Sequence, residues 1–222
     1  MKKFRKIVAI QGDPIQAINV KTDTTLLLAL EAQIRGYKIY YYETKDLTFS
    51  NNSVYALSKE VEFNQNKNKF YSIKGLKLLN LSKAKFILMR QNPPFNMDYI
   101  TATFLLEKIS KKTEIINNPT SVRNMPEKLY SIDFLKLMPP TIFTKSIDEI
   151  YKFNKRYKKI VLKPTHGYGG KNILFISKNL EKTKIKNYLK KHEHVMVQKF
   201  IPEIKYGDKR IFIIGGVIKG AI

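Results

Sequence analysis

At 222 residues, 43% of them apolar and 27% charged, the chain can bury a substantial core and holds one complete domain plus a second. It has no cysteine, which excludes disulfides and thiolate metal sites, and no apolar run approaches the ~20 residues of a membrane helix. The net charge of +23, from 41 Lys+Arg against 18 Asp+Glu, raises nucleic-acid or anionic-membrane binding. The lysines are scattered, however, from Lys2 and Lys3 through Lys45, Lys83, Lys111 and Lys112 to Lys182–Lys191, and no RRM, KH or helix-turn-helix signature accompanies them. Neither partner is expected. The basic start is followed by an apolar stretch too brief for a signal peptide, so a cytoplasmic location is expected.

In chain order, strand Lys6 to Gln11 leads through the loop Gly12 to Lys21 into a helix. Its cap is Asp23 or Thr24, its expected buried face Leu27, Leu30 and Ile34, and its stop Gly36. Strand Tyr37 to Glu43 follows, then an excursion of hairpin strands with polar turns over Ser50 to Asn80. Strand Phe86 to Met89, helix Met97 to Ser110 and strand Glu114 to Ile116 complete a parallel sheet. Arg90 ends a buried strand and precedes the rigid loop Gln91-Asn92-Pro93-Pro94-Phe95, at the same carboxyl edge as Gly12 to Asn19, where ligands of open α/β sheets gather. Arg90 either touches a ligand there or pairs with a neighbouring carboxylate.

Asn118-Pro119 marks a domain boundary, and Pro126-Glu127-Lys128 opens a helical run through Leu129, Ile132, Phe134 and Leu135. Strand Thr141 to Thr144 is followed by a helix to Tyr157 whose capping box is Ser146-Ile147-Asp148-Glu149. Next, Ile160-Val161-Leu162 makes a buried strand ending in Lys163-Pro164. Gly167, Gly169 and Gly170 supply a close-approach loop before a second apolar run, Ile173 to Ile176. The lysine precedes the glycines and no helix start follows them, so this is not a GxxxxGK[ST] loop. It is either a phosphate-covering hairpin or a plain glycine turn beside a solvated lysine. Helix Leu180 to Lys191 and strand Val195 to Lys199 finish the unit, with His192 and His194 at the turn between them. The strand leaves its sheet at Phe200-Ile201-Pro202, exposing backbone that an adenine edge could pair with. A polar turn, Tyr206-Gly207-Asp208-Lys209-Arg210, then runs into strand Ile211 to Ile214, joined at Gly215-Gly216 to Val217 to Ile222.

Seven short segments, taken together, resemble one family. Asp13-Pro14 with Asn19, Leu30-Glu31-Ala32-Gln33 with Gly36-Tyr37, and Met89-Arg90 with Pro93-Pro94-Phe95 come first. Glu127-Lys128-Leu129, Leu162-Lys163-Pro164, Gly167 with Gly169-Gly170, and Gly207-Asp208-Lys209-Arg210 follow. In this order they resemble the prokaryotic glutathione synthetases of the ATP-grasp superfamily. No single segment is specific; their colinear occurrence is.

The resemblance implies an α/β architecture: an N-terminal parallel α/β domain over residues 1–118, then an incomplete ATP-grasp domain over 119–222 with its small nucleotide-covering subdomain at about 128–202. It implies ATP-dependent joining of γ-glutamylcysteine to glycine through an acyl phosphate, chemistry that needs cations to neutralise charge on phosphate oxygens. By the same resemblance Lys128 and Lys163 bind the ATP phosphates, converging on one triphosphate. Gly167, Gly169 and Gly170 cover the phosphates, Gln198, Lys199, Phe200 and Ile201 meet adenine, Asp208 faces the ribose and Arg210 stabilises the acyl phosphate. Asp13, Asn19 and Arg90 are the candidate peptide contacts. Family members run longer, and their magnesium ligands fall in the portion beyond Ile222. No metal ligand is therefore expected within this chain, which by itself is expected to be inactive, and the full-length enzyme is expected to be a homo-oligomer. His166 departs from the acidic residue many relatives carry before the first loop glycine. The competing readings are another ATP-grasp carboxylate–amine ligase and a noncatalytic ATP-binding remnant.

Overall fold

Ile7–Gln11 forms β1, buried along four of its five residues, in the computed structural model of the chain, which describes residues 6–66, 68–167, 169–177, 180–192 and 194–222. Lys2 and Lys3 of the basic start and Tyr168 of the glycine loop therefore fall outside the described residues. The chain divides into two compact units, residues 1–130 and 131–222.

In the first unit β1 is followed by α1 (Thr24–Ile34), β2 (Lys38–Tyr42), β3 (Leu47–Ser50), β4 (Ser53–Phe63), β5 (Tyr71–Asn80), β6 (Phe86–Met89), α2 (Met97–Glu107), β7 (Glu114–Ile116), α3 (Pro119–Asn124) and α4 (Glu127–Tyr130). Strands β2, β1, β6 and β7 lie side by side and parallel, as the apolar runs separated by helices require. The excursion β3–β4–β5 extends the β2 edge antiparallel, with β4 spanning β2, β3 and β5. Each sheet face carries its own core. Ala9, Tyr40, Tyr42, Ile87 and Met89 pack with Leu106 of α2, whereas Val8, Ile10, Ile39, Tyr41, Val61 and Phe63 pack with Leu26 and Ala29 of α1.

The rotation of α1 differs from the sequence expectation. Leu26 and Ala29 are buried (3% and 0% exposed), while Leu27 and Ile34 are 64% and 79% exposed. Leu26 to Leu30 is one unbroken apolar run, so periodicity does not choose its inner face. Two fixed points choose it instead. The Asp23 side chain accepts from the Thr25 N–H at the cap, and Gln33 both donates to Phe63 O and accepts from Phe63 N, at 2.9 and 2.7 Å. Gly36, at φ +77°, then ends the helix in the left-handed region.

The second unit contains β8 (Thr141–Thr144), α5 (Ile147–Tyr157), β9 (Ile160–Pro164), β10 (Leu174–Ile176), α6 (Lys182–His192), β11 (Val195–Lys199), β12 (Ile211–Ile214) and β13 (Val217–Ala221). An antiparallel sheet in the order β10-β9-β11-β8 buries Ile160, Leu162, Val195 and Val197 against Ile150 and Phe153 of α5 and Ile185 and Leu189 of α6. Ser146 caps α5 by accepting from the Glu149 N–H. The helix expected from Lys128 through Leu135 is not continuous. It stops at Tyr130 and gives way to 3-10 turns over Ser131–Leu137, with Phe134 at non-helical φ −119° and ψ 26°. Ile132, Phe134 and Leu135 remain nearly half exposed, so the segment lacks the packed face that ordinarily supports a helix.

Candidate active site

The β9–β11 pairing sets Lys163 opposite Met196, which places Lys163 and Gln198 as diagonal neighbours on one face. Lys163 Nζ donates to Gln198 Oε1 at 2.7 Å, and Gln198 Nε2 donates to Thr141 Oγ1 at 2.9 Å. Thr141 Oγ1 in turn donates to Pro139 O at 2.6 Å. Three strands thus aim one ammonium, with Gln198 94% buried beneath it (6% exposed). Just beyond Lys163 the chain turns. Gly169 and Gly170 sit at φ +61° and +69°, conformations that a Cβ would strain, and His166 is exposed at the start of that turn. The strand pair β9–β10 and its turn form the hairpin read from the sequence.

At the exit of β11 the Lys199 N–H donates to Pro140 O at 3.0 Å and the Phe200 N–H to Lys159 O at 2.9 Å. Two backbone donors of the expected adenine segment are thus already engaged by the protein. The Phe200 ring packs edge-on against Phe175, centroids 4.9 Å apart, and Ile201 stays largely exposed. Asp208 and Arg210 are exposed and lie 3.8 Å from one another, while the Arg210 backbone exchanges two hydrogen bonds with Ile222. Lys128 is on α4, in the first unit.

In the first unit, the carboxyl ends of β1, β2 and β6 gather a second group. Asp13 accepts from the Asn92 backbone N–H and from Asn92 Nδ2 (2.7 Å to Oδ2), and its carbonyl accepts from Tyr41 Oη at 2.6 Å. Gly12 leaves room for this contact: a Cβ built on it would lie 2.0 Å from Tyr41 Oη, so the ring or the loop would have to shift. Burial first, then the Asp13, Asp23 and Glu43 carboxylates, push the Tyr41 hydroxyl far above its usual range, against a lowering by Arg90. Arg90 turns toward the start of α1, donating to Thr25 Oγ1 at 3.1 Å and Thr24 Oγ1 at 2.8 Å, with Asp23 at 3.9 Å. Asn19 shapes the turn before α1, its Oδ1 accepting from the Lys21 N–H at 3.0 Å. A pocket of about 170 Å³ opens between these loops and is lined in part by Asp13, Glu43, Gln91 and Asp98.

Sequence reasoning did not single out Tyr41, the positioning role of Gln198, or Gln91. Tyr41 is one of three consecutive tyrosines in a strand, and Gln91 one of several amides in a loop, so no local signal separates them from packing residues.

Comparison with known proteins matches this arrangement along its length. Residues 7–123 match the model of the prokaryotic glutathione synthetase N-terminal domain, and residues 127–222 that of the prokaryotic glutathione synthetase ATP-grasp domain. Glutathione synthetase of Rhodopseudomonas palustris is 38% identical over 218 residues, covering 97% of this chain and 70% of that protein. Glutathione synthetase of Buchnera aphidicola subsp. Baizongia pistaciae is 40% identical over 210 residues, covering 92% and 65%. The crystal structure of D-cycloserine synthetase DcsG superposes with a TM-score of 0.65 at 16% identity, over 97% of this chain and 66% of that one, a likeness of fold. With both domain models matched in order and relatives at this identity, the chain belongs to the prokaryotic glutathione synthetase family of ATP-grasp proteins.

Proposed function

We infer that the chain serves ATP-dependent glutathione synthesis as a carbon–nitrogen ligase. The observation that carries this reading is the match to both glutathione synthetase domains, consecutive and in order, over residues 7–123 and 127–222. In this reading ATP transfers its terminal phosphoryl group to the peptide carboxylate of γ-glutamylcysteine, a poor electrophile, releasing ADP, and the amine of glycine then attacks the acyl phosphate, releasing phosphate. The residues present fit a nucleotide phosphate. An ammonium held by an amide that is itself held, Lys163 on Gln198, is a preorganised positive charge, and positive-φ glycines beside it leave backbone N–H groups unshielded by Cβ atoms.

Within that reading Lys163 neutralises phosphate oxygens and Gly167, Gly169 and Gly170 close over them. Lys128 supplies a further ammonium. Gln198 positions Lys163, while Lys199, Phe200 and Ile201 border the adenine, with the Lys199 and Phe200 N–H groups already engaged by the protein. Asp208 takes the ribose hydroxyls and Arg210 the charge that develops on the activated carboxylate. Asp13, Asn19 and Arg90 belong to the peptide side, Arg90 and Asn19 through the loop and helix start they hold. ATP-grasp ligases work with Mg²⁺. Among the described residues no group of three or more His, Asp or Glu side chains is placed to hold a metal ion, so the residues present do not by themselves fit it.

The test is a titration of the purified chain with labelled ATP. Lys163→Ala is expected to weaken binding at least tenfold, and Lys83→Ala, on an exposed lysine distant in sequence from the glycine turn, less than twofold. Equal effects of the two substitutions would remove the nucleotide assignment.

A further inference from the structure

The hairpin that carries the glycine turn is narrow at its base and unsupported at its tip. β10 pairs with β9 only over Leu174 to Ile176, against Leu162 to Ile160, so the ladder ends at Leu162, one residue before Lys163. Beyond it Gly169 and Gly170 stand clear: a Cβ built on either meets no atom within 4 Å among the described residues. Their positive φ values therefore answer to the path of the backbone and not to packing. Asn172, on the returning leg, is left-handed as well, at φ +60°. Asparagine adopts that conformation more readily than most residues with a side chain, but at a cost, and it persists where neighbours hold it. A turn built this way takes its position from whatever grips its base.

A side chain of α6 supplies that grip. Tyr188 Oη lies 2.6 Å from Asn172 O and 3.1 Å from Leu162 O, so its hydroxyl reaches both legs of the hairpin where the ladder stops. The hydroxyl has a single proton, and the shorter distance assigns it chiefly to the Asn172 carbonyl, with Leu162 O as the second acceptor. Burial pushes the phenol up to about 12, so the proton is retained at neutral pH. The ring is fixed independently of its hydroxyl. It packs against the core that contains Leu162, Ile185 and Leu189, and its centroid is 4.7 Å from that of His192, four residues on along the same helix face. The helix that closes this core therefore also reaches the turn, 16 positions away in sequence.

We propose that Tyr188 is a positioning residue for the phosphate-binding turn: its hydroxyl ties the returning leg at Asn172 to the strand end at Leu162, and so sets how far the Gly169-Gly170 backbone stands from the Lys163 ammonium. This role rests on the reading of Lys163 and the glycines as a nucleotide-phosphate site. Lys163 is aimed by Gln198 and Thr141 from within the sheet, and Tyr188 holds the other half of the cradle from α6. Both halves count. Phosphate oxygens between a cation and N–H donors are stabilised best when the two already stand at their working separation, and a turn left loose must be ordered at the expense of affinity.

The test is Tyr188→Phe in the full chain, which keeps the ring and its packing and removes the hydroxyl. Hydrogen exchange of the amides in 169–174 is expected to quicken by about tenfold or more, with the amides of α5 and β11 unchanged. Calorimetric titrations then compare ATP with AMP, which lacks the terminal phosphates. ATP is expected to bind more weakly by about fivefold or more, the scale of one lost hydrogen bond, and AMP to stay within about twofold of wild type, so that the preference for ATP shrinks. A merely structural role would quicken exchange throughout the unit and weaken both nucleotides alike, and that result overturns the assignment. So does unchanged exchange over 169–174, or an unchanged preference for ATP. The wild-type chain and Lys163→Ala tell this failure from failure of the site itself. ATP bound by the wild type and weakened by Lys163→Ala, with no effect of Tyr188→Phe, removes the role of Tyr188 and leaves the nucleotide site. A wild-type chain that binds ATP no better than AMP removes the phosphate site, and the role of Tyr188 with it.

Discussion

Tyr41 and Gly12 make one joint between the first strand and the second. The tyrosine hydroxyl reaches across to Asp13 O at 2.6 Å, and it does so through the space a Cβ on residue 12 would fill, with the ring Cζ only 2.7 Å from that point. Gly12→Ala therefore forces a buried ring to move or the loop to open, a change that costs about 1–3 kcal/mol as overpacking does. A lowered urea midpoint is the expected result. An unchanged midpoint would show that the ring swings aside freely. Part of this site was legible from the chain alone: Asp13, Arg90 and the amide–proline loop end strands whose apolar runs mark them as parallel and buried. Tyr41 was not, because its role depends on a neighbour 29 positions earlier that only the sheet register brings near. The same holds for Gln198, which acts through Lys163, 35 positions before it.

At the scale of elements, local chemistry specified where helices and turns begin and end more firmly than which way they face. Ser146 caps α5, Asp23 caps α1, Gly36 stops α1, and Gly215-Gly216, at φ +57° and +79°, closes a two-residue hairpin. Each of these signals lies within four residues of its effect. The inner face of α1 depends instead on Gln33 gripping Phe63 across 30 residues, which no local pattern in an unbroken leucine run reveals. Leu26→Ala is expected to cost about 2–5 kcal/mol by leaving a cavity against Val61 and Phe63. Leu27→Ala and Ile34→Ala, on the exposed side, are expected to change stability by less than about 0.5 kcal/mol. Denaturant unfolding of the three variants decides the rotation, and the reverse ranking would restore the face expected from the sequence.

The two units of the whole molecule are unequal in how well they bury what they contain. The first closes two cores on its seven-stranded sheet, and the second closes one on its four-stranded sheet. Among the described residues, 201–222 share in neither core: β12 and β13 pair only with each other there, and all their side chains are exposed. Ile211, Phe212, Ile213, Ile214, Val217 and Ile218 are half to two-thirds exposed, on both faces of a ribbon. A two-stranded ribbon has marginal stability alone, and its outer edges present unpaired N–H and C=O groups beside apolar side chains. The chain spans about 70% of the length of the relatives it matches, which sets a context for such a surface without specifying what covers it. The net charge of +23 opposes self-association at low salt, but Lys219 and Arg210 are the only charged residues within 210–222, so repulsion is weak where the apolar surface is densest. The 222-residue chain is therefore expected to self-associate as salt rises and charge is screened, by light scattering at fixed protein concentration. A chain ending at Glu203 should remain monodisperse over the same range. A monomeric full chain at high salt would show that the hairpin's apolar faces are covered within the molecule, and the exposure of β12 and β13 would no longer describe the protein in solution.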